Sequence, residues 1–316
     1  MDSRRQTPDQ RALGLQYCML LGSLLSVLQM NAEGSTKEDH QARSESVRRL
    51  VQNARVFNDD SACLGTRPPK RIVQFWDDAT RLPADVKACI ESWHPLEELG
   101  IDRVLFNAGE AKEFIRRELG RRHEEAYRRC YHPAMQSDYF RLCYIYVEGG
   151  CYVDADDVYR GASIDHLFDD GRLKVQPLCY DTSTDEMVRP SVFLQPGAGS
   201  ASWIFYFNNN PLVAHRAHPI IGRALEAATK ALERAKPNEL PEIQSTTGPG
   251  ILTKSIVEHA REVGGIADAL VVLHRWEDIS VSQWPLSYRS DARNWRLSNQ
   301  QRQPGHQRDG GAGEPQ

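Results

Sequence analysis

The sequence predicts an α/β domain built on a mainly parallel sheet, and two observations carry that reading. Short β-prone runs, Arg71–Trp76 and Asp102–Phe106, alternate with helix-spaced segments at Leu82–Trp93 and Glu110–Leu119. That order is the one expected of parallel strands joined by helical crossovers. Further on, the apolar helical run Met135–Val147 breaks at Gly149-Gly150 and gives way to a β-prone run at 151–153. This run ends in the carboxylates Asp154, Asp156 and Asp157.

Bulk properties narrow the class. A chain of 316 residues, 40% hydrophobic and 26% charged, can bury one large core or two small ones. Its net charge of −4 leaves no polycationic footprint, which argues against a nucleic-acid partner. The seven cysteines (18, 63, 89, 130, 143, 151 and 179) are widely spaced and include no C-x-x-C, so neither a zinc site nor a dense disulfide framework is indicated. Cys143 and Cys151 lie in apolar runs and read as small core residues.

Taken in order, the chain starts with Arg4, Arg5 and Arg11 before an apolar run, Leu13–Met30. Residues 1–30 read as a signal or anchor segment, or as a helix packed on the domain, so membrane association through residues 12–30 is left open. If they span, the flanking arginines favour placing the domain that follows across the membrane. The source would then decide between a cytoplasmic or membrane-associated bacterial protein and a Golgi type II membrane protein. Residues 31–69 are polar and read as a stem or linker, with some helix at Ser44–Arg55.

The main folded domain is expected at residues 70–297. After the central stretch, Arg172–Gln176, Ser191–Gln195, Trp203–Phe207 and Ala269–Leu273 are strand candidates, with a loop at Asp181–Glu186. The strongly apolar strand candidate Trp203–Phe207 leads into Asn208-Asn-Asn-Pro211. Helices are expected at Ile220–Ala235 and Ile251–Val263, each preceded by a proline-containing break. Residues 298–316 are rich in Gln, Gly and Pro and read as a disordered tail.

The chemistry centres on the aspartates. In a strand, residues i and i+2 share a side, so Asp154 and Asp156 project together while Asp157 alternates away and caps the next turn. Two carboxylates and a diphosphate supply the hard oxygen ligands that Mg²⁺ or Mn²⁺ prefers. Alone, D-x-D is equally a solvated acidic turn. Flanking apolar segments make that costly unless a cation or a partner compensates the like charges. Asp138 and Arg141, three apart on a helix, share a face. They read either as an intrahelical ion pair or as contacts to a sugar hydroxyl and a phosphate.

His132-Pro133, Ser137-Asp138, Arg141 and the run Tyr-x-x-Gly149-Gly150-x-Tyr-x-Asp154-x-Asp156 together resemble the D-x-D sugar-transferase family. This family includes yeast mannosyltransferases and bacterial capsular and lipopolysaccharide sugar transferases; the catalytic domains of large clostridial glucosylating toxins are more distantly similar. The dense match covers residues 134–158. The resemblance implies a GT-A-type, Rossmann-like fold, a UDP- or GDP-sugar donor, a divalent Mn²⁺ or Mg²⁺, and transfer of a hexose with retention to a glycan, lipid-linked or capsular acceptor.

The resemblance also implies roles. Trp76 stacks on the base, Asn107 touches the nucleoside, and Asp138 and Arg141 contact the donor sugar and diphosphate. Asp154 meets ribose or sugar and joins Asp156 as a metal ligand, and His274, Trp276 and Trp284 close over the donor. Asp157 departs from the pattern, which usually has an apolar residue there. Other readings are a secreted effector glycosylating a host protein, a non-catalytic sugar-nucleotide-binding protein, and a metal-dependent phosphohydrolase, which lacks its nucleophile motif here. The oligomeric state is not legible.

Overall fold

A computed structural model of the chain describes residues 37–53, 66–236, 240–266, 268–283 and 285–294. The expectations for residues 1–30, for Trp284 and for the tail at 298–316 lie outside the described residues. No helix among the described residues is long and apolar enough to cross a membrane.

Helix α1 (Lys37–Asn53) corrects the linker reading of this part of residues 31–69. Val47 and Val51 are buried in the main core, Ser44 Oγ accepts the Phe205 amide at 2.9 Å, and Gln52 donates to the Phe193 and Ala198 carbonyls at 3.0 and 2.7 Å. A helix whose apolar face is buried in the domain core is part of that domain.

Next come β1 (Arg71–Phe75), α2 (Ala84–Glu91), the single turn α3 (Pro95–Glu98), β2 (Asp102–Phe106), α4 (Ala108–Leu119), α5 (Arg121–Arg128) and α6 (Pro133–Val147). The sequence-based strands at 71–76 and 102–106 and the helices at 82–93 and 110–119 all appear, with ends shifted by a few residues. Helix α6 is apolar on most of its circumference and correspondingly buried, with Met135, Tyr139, Phe140, Leu142, Cys143, Tyr144 and Ile145 inside. Phe106, Phe114, Phe140 and Tyr144 make an aromatic cluster, with Phe106–Phe140 centroids 4.9 Å apart and Phe114–Tyr144 centroids 5.3 Å apart.

The two glycines after α6 have distinct reasons. Gly149 (φ 75°) and Gly150 (φ 110°) occupy backbone regions that side chains avoid. A Cβ on Gly149 would lie 2.8 Å from the Arg216 amide nitrogen, and one on Gly150 would lie 2.9 Å from the Arg71 carbonyl. This turn delivers β3 (Gly150–Tyr152) beside β1.

The chain continues through β4 (Asp157–Tyr159), β5 (Leu173–Asp181), β6 (Glu186–Met187), α7 (Pro190–Phe193), β7 (Trp203–Ala214), α8 (Pro219–Arg234), α9 (Ile243–Thr246), α10 (Pro249–Val263), β8 (Leu270–Val272), α11 (Trp276–Ile279) and β9 (Ser280–Ser282). A short 3₁₀ turn, Ser287–Ser290, follows. The main sheet runs β2-β1-β3-β7-β5-β6, and β8 joins β5. The pairs β1–β2, β1–β3 and β5–β8 are parallel, whereas β7 is antiparallel to both β3 and β5. The result is a mixed α/β sheet rich in parallel pairs, which fits a GT-A-type, Rossmann-like architecture. Strands β4 and β9 form a separate antiparallel pair.

Two strand expectations change. Ser191–Gln195 is not a strand; Pro190 starts a short helix there, since its fixed φ suits a first helical position. The strand expected at Trp203–Phe207 is longer than that, because β7 runs on through Asn208–Pro211, which bulge against β5, to Ala214. Its asparagines are held by side chains across the site, a tertiary preference that local propensity cannot register. Cys143 and Cys151 are free and buried, as expected, and so are Cys89, Cys130 and Cys179.

Candidate active site

A cleft of about 340 Å³ opens beside the ends of β1 and β3 and the middle of β7. The main carboxylates converge on it, although not in the manner that strand alternation predicts. β3 stops at Tyr152, and Asp154–Asp157 form a turn closed by the Asp157 amide to the Asp154 carbonyl at 3.2 Å. Outside a strand the two-residue alternation lapses, so Asp154, Asp156 and Asp157 all line the cleft. The expected separation of Asp157 from the other two is thus corrected.

Arg141 ties the site together from α6. Its Nη2 lies 2.9 Å from Asp154 Oδ1 and 3.0 Å from Asp138 Oδ1, and it also donates to Ser137 Oγ at 3.1 Å. Nη1 donates to the Asn209 carbonyl at 2.9 Å, and the guanidinium covers the Tyr152 ring at 4.2 Å. The two readings of Asp138 and Arg141 therefore meet: they are an intrahelical pair, and that pair lines the cleft.

Asp138 is further bound by Asn209 Nδ2 at 2.8 Å. Burial pushes the Asp138 carboxyl up to about 6, with Arg141 pulling it back. Burial likewise raises Asp154, opposed by Arg141. Burial lowers the Arg141 pKa, but Asp154, Tyr152 and Asp138 outweigh it, and the net shift is upward. The guanidinium is thus held as a cation at the centre of three acidic groups.

Asp157 is the most enclosed of the carboxylates. Its Oδ2 accepts from Asn210 Nδ2 at 3.0 Å and from Ser280 Oγ at 3.4 Å, while Oδ1 is buried with no hydrogen-bond partner. Burial, then Asp156 and Asp154, push this carboxyl well above the usual range. Asn210 also turns its Oδ1 to the Asp154 amide at 3.1 Å.

Asp156 is engaged from the far end of the chain. Its Oδ2 accepts from the Tyr288 hydroxyl at 2.7 Å and is ion-paired with Arg289. Tyr288 meets Trp76 edge-on with centroids 5.2 Å apart, and the Arg293 guanidinium lies 5.6 Å from the Trp76 ring. Trp76, 7% exposed, stands in the cleft wall under this segment. The segment is anchored by Asp85, which accepts from the Ser287 amide at 2.6 Å, and by His132 Nε2, 3.0 Å from the Ala292 carbonyl.

Two candidate residues are placed elsewhere. Asn107 does not line the cleft but caps α4: its Oδ1 accepts the Gly109 and Glu110 amides at 2.9 and 3.0 Å, and Glu110 returns a bond to the Asn107 amide. That reciprocal capping box occupies the side chain expected to touch a nucleoside. His274 is also outside the cleft lining, and its Nε2 lies 3.1 Å from the Val51 carbonyl on α1. Trp276 does line the cleft.

Residues missed in the sequence are Asn209, Asn210, Tyr288, Arg289 and Arg293, while Asp157 was noticed but assigned to the wrong side. Three consecutive asparagines after a strongly apolar strand were a usable signal. Tyr288 and Arg289 lie 132 and 133 residues from Asp156 and gave none.

The donor set suits a hard divalent cation in kind. Asp154, Asp156 and Asp157 offer carboxylate oxygens, and Asp157 Oδ1 is an orphan acceptor in want of a partner. Among the described residues, no three His, Cys, Asp or Glu side chains already stand as a cation site, and Arg289 supplies positive charge at Asp156.

Comparison with known proteins bears on the same segment. Residues 83–171 match the family model described as a glycosyltransferase sugar-binding region containing the DXD motif. The match takes in Asp138, Arg141 and the D-x-D itself and spans less than half of the chain, so the chain carries this region at its centre. Among solved structures, the chain is similar to one titled PaToxG Glycosyltransferase, with 15% identity, a TM-score of 0.43, and coverage of 71% of this chain and 78% of that one. No curated protein matches the chain.

Proposed function

We propose that this chain, with a glycosyltransferase sugar-binding region at its centre, transfers a hexose from a UDP- or GDP-sugar to a hydroxyl acceptor with retention of configuration. The observation that carries this reading is the convergence of Arg141, Asp138 and the D-x-D carboxylates on one cleft beside Trp76. An aromatic face for a base, a guanidinium for phosphate or sugar oxygens and a carboxylate group for a cation are the parts such a donor needs.

The roles follow from chemistry. Trp76 stacks on the base once Tyr288 and Arg293 make room. Arg141 binds donor oxygens with a planar fork that matches phosphate. Asp138 and Asn209 take hydroxyls of the transferred sugar. Asp156, with Asp154 and Asp157 beside it, would hold Mn²⁺ or Mg²⁺, which when bound offsets the negative charge on the departing diphosphate. In the transfer, the bond from the anomeric carbon to the diphosphate oxygen breaks, and one to the acceptor oxygen forms on the same face. The acceptor's proton passes to the leaving diphosphate. The chain's own residues orient the donor and exclude water from this step.

The test is calorimetric titration with UDP and with GDP, with and without Mn²⁺. Binding of at least one diphosphate, tightened by Mn²⁺ and weakened by Trp76→Ala, is expected. No binding of either would overturn the reading.

A further inference from the structure

Part of the cleft lies away from the donor machinery, and its composition is different. Following the sheet order, Trp76 follows β1 and the D-x-D follows β3; β7, β5 and β6 then continue the sheet in that direction. Apart from Asn209 and Asn210 at the carboxylates, the lining residues on these last three strands are Tyr206 and Asn208 from β7, Gln176 and Leu178 from β5, and Met187 from β6. Tyr206 stands directly opposite Leu178, so the two side chains share a face. Tyr180, two residues on from Leu178, stands opposite Met187, which brings Met187 to that face as well. The Tyr206 hydroxyl reaches Met187 Sδ at 3.7 Å, in agreement.

Between this apolar wall and the carboxylates lies a short polar bridge. Asn208 Nδ2 donates to Gln176 Oε1 at 3.3 Å, and the next two residues of β7 bond to Asp138 and Asp157. The β5–β7 register shifts between Val175 and Pro177, so Asn208–Pro211 form a bulge that separates Tyr206, in regular pairing, from Asn209 and Asn210 at the carboxylates. A molecule with a hydroxyl at the D-x-D would therefore pass the Asn208–Gln176 amides and end against Leu178, Met187 and Tyr206.

Resting on the transferase reading above, we infer that this part of the cleft is the acceptor subsite, and that it takes a glycoside whose sugar carries an apolar aglycone, such as an alkyl or aryl group. The two amides offer hydrogen bonds to one sugar ring. Leu178 and Met187 offer no hydrogen bonds to a second ring, and Tyr206 brings a single hydroxyl directed at Met187 Sδ, so most hydroxyls of such a ring would lose water without replacement. An alkyl or aryl group loses only unfavourable hydration there, and the unbranched Met187 side chain adapts to its shape. A few placed polar groups in a mainly apolar wall is the usual make-up of such a site.

The test uses the full chain with Mn²⁺ and whichever UDP- or GDP-sugar it hydrolyses. It compares octyl, p-nitrophenyl and methyl glycosides of glucose, galactose and mannose with maltotriose and cellotriose. The expected result is a KM at least tenfold lower for the octyl or p-nitrophenyl member than for the methyl member of one series. Met187→Glu and Leu178→Gln should each shrink that ratio about tenfold. Equal KM values, or preference for the trisaccharides, would overturn the inference while leaving the transferase reading intact. If donor is hydrolysed but no acceptor is glycosylated, saturation-transfer NMR decides: octyl over methyl glucoside binding supports the subsite, and its absence refutes it. No donor hydrolysis together with no diphosphate binding would refute both.

Discussion

Arg141 and Asp154, held 2.9 Å apart, join the helix before the glycine break to the carboxylate turn after it. Arg141 is 4% exposed and touches Asp138 as well, so its charge and its planar shape are separable by substitution. Arg141→Lys keeps the charge and loses the fork; donor kcat/KM should fall about 10- to 100-fold with little change in melting temperature. Arg141→Ala leaves two carboxylates unpaired and should cost about 3–5 kcal/mol of stability. Wild-type kinetics in Arg141→Lys would remove the guanidinium from donor binding.

Asp156 is paired with Arg289, a cation supplied by the chain itself. A metal and this guanidinium compete for one carboxylate. Arg289→Gln should therefore tighten Mn²⁺ binding roughly tenfold, about 1.4 kcal/mol, read by electron paramagnetic resonance titration. Weaker Mn²⁺ binding in the variant would mean that the two do not compete.

Gly248 is a close-approach glycine. A Cβ there would sit 2.9 Å from Gln244 Cα and 3.1 Å from Asp138 Oδ2. Gly248→Ala should displace Asp138, raising donor KM severalfold and costing about 1–3 kcal/mol in denaturant unfolding. An unperturbed KM would place the donor sugar away from Asp138.

Lys174 is fully buried, and its amine is satisfied by Asp170 Oδ1 at 2.9 Å and by the Asp170 and Arg172 carbonyls at 3.1 and 3.2 Å. Burial raises the Asp170 pKa, but Arg172 and Lys174 outweigh it and hold the carboxyl at about 2. A carboxyl depressed on folding adds stability above its unfolded pKa of roughly 4, and that stability is lost as pH falls through 2. Unfolding free energy should drop by about 2 kcal/mol between pH 4 and 2. The double variant Asp170→Asn, Lys174→Met should lose this dependence, whereas Asp170→Asn alone costs about 3–5 kcal/mol. An unchanged acid slope in the double variant would refute the assignment.

Much of this architecture was legible in the chain. β1 and β2 announced themselves by short apolar runs between helix signals, and α6 by a largely apolar helical stretch ending at two glycines whose backbone angles admit little else. The D-x-D was found, but in a turn and not a strand, which is why Asp157 was misplaced. Asn107 with Glu110 already spelled a capping box, a local signal that outweighs a distant ligand. β7 was cut short because its asparagines satisfy Asp138, Asp157 and the Asp154 amide, partners that no local window contains. Tyr288 and Arg289 reach Asp156 only through the fold.

The most direct test of the transferase assignment is release of nucleoside diphosphate from a panel of UDP- and GDP-sugars with Mn²⁺, comparing the wild-type chain with Asp156→Asn. Release from at least one donor by the wild type, reduced at least 100-fold in a variant with an unchanged circular dichroism spectrum, is the predicted result. Release from no donor, or equal release by both proteins, would contradict it.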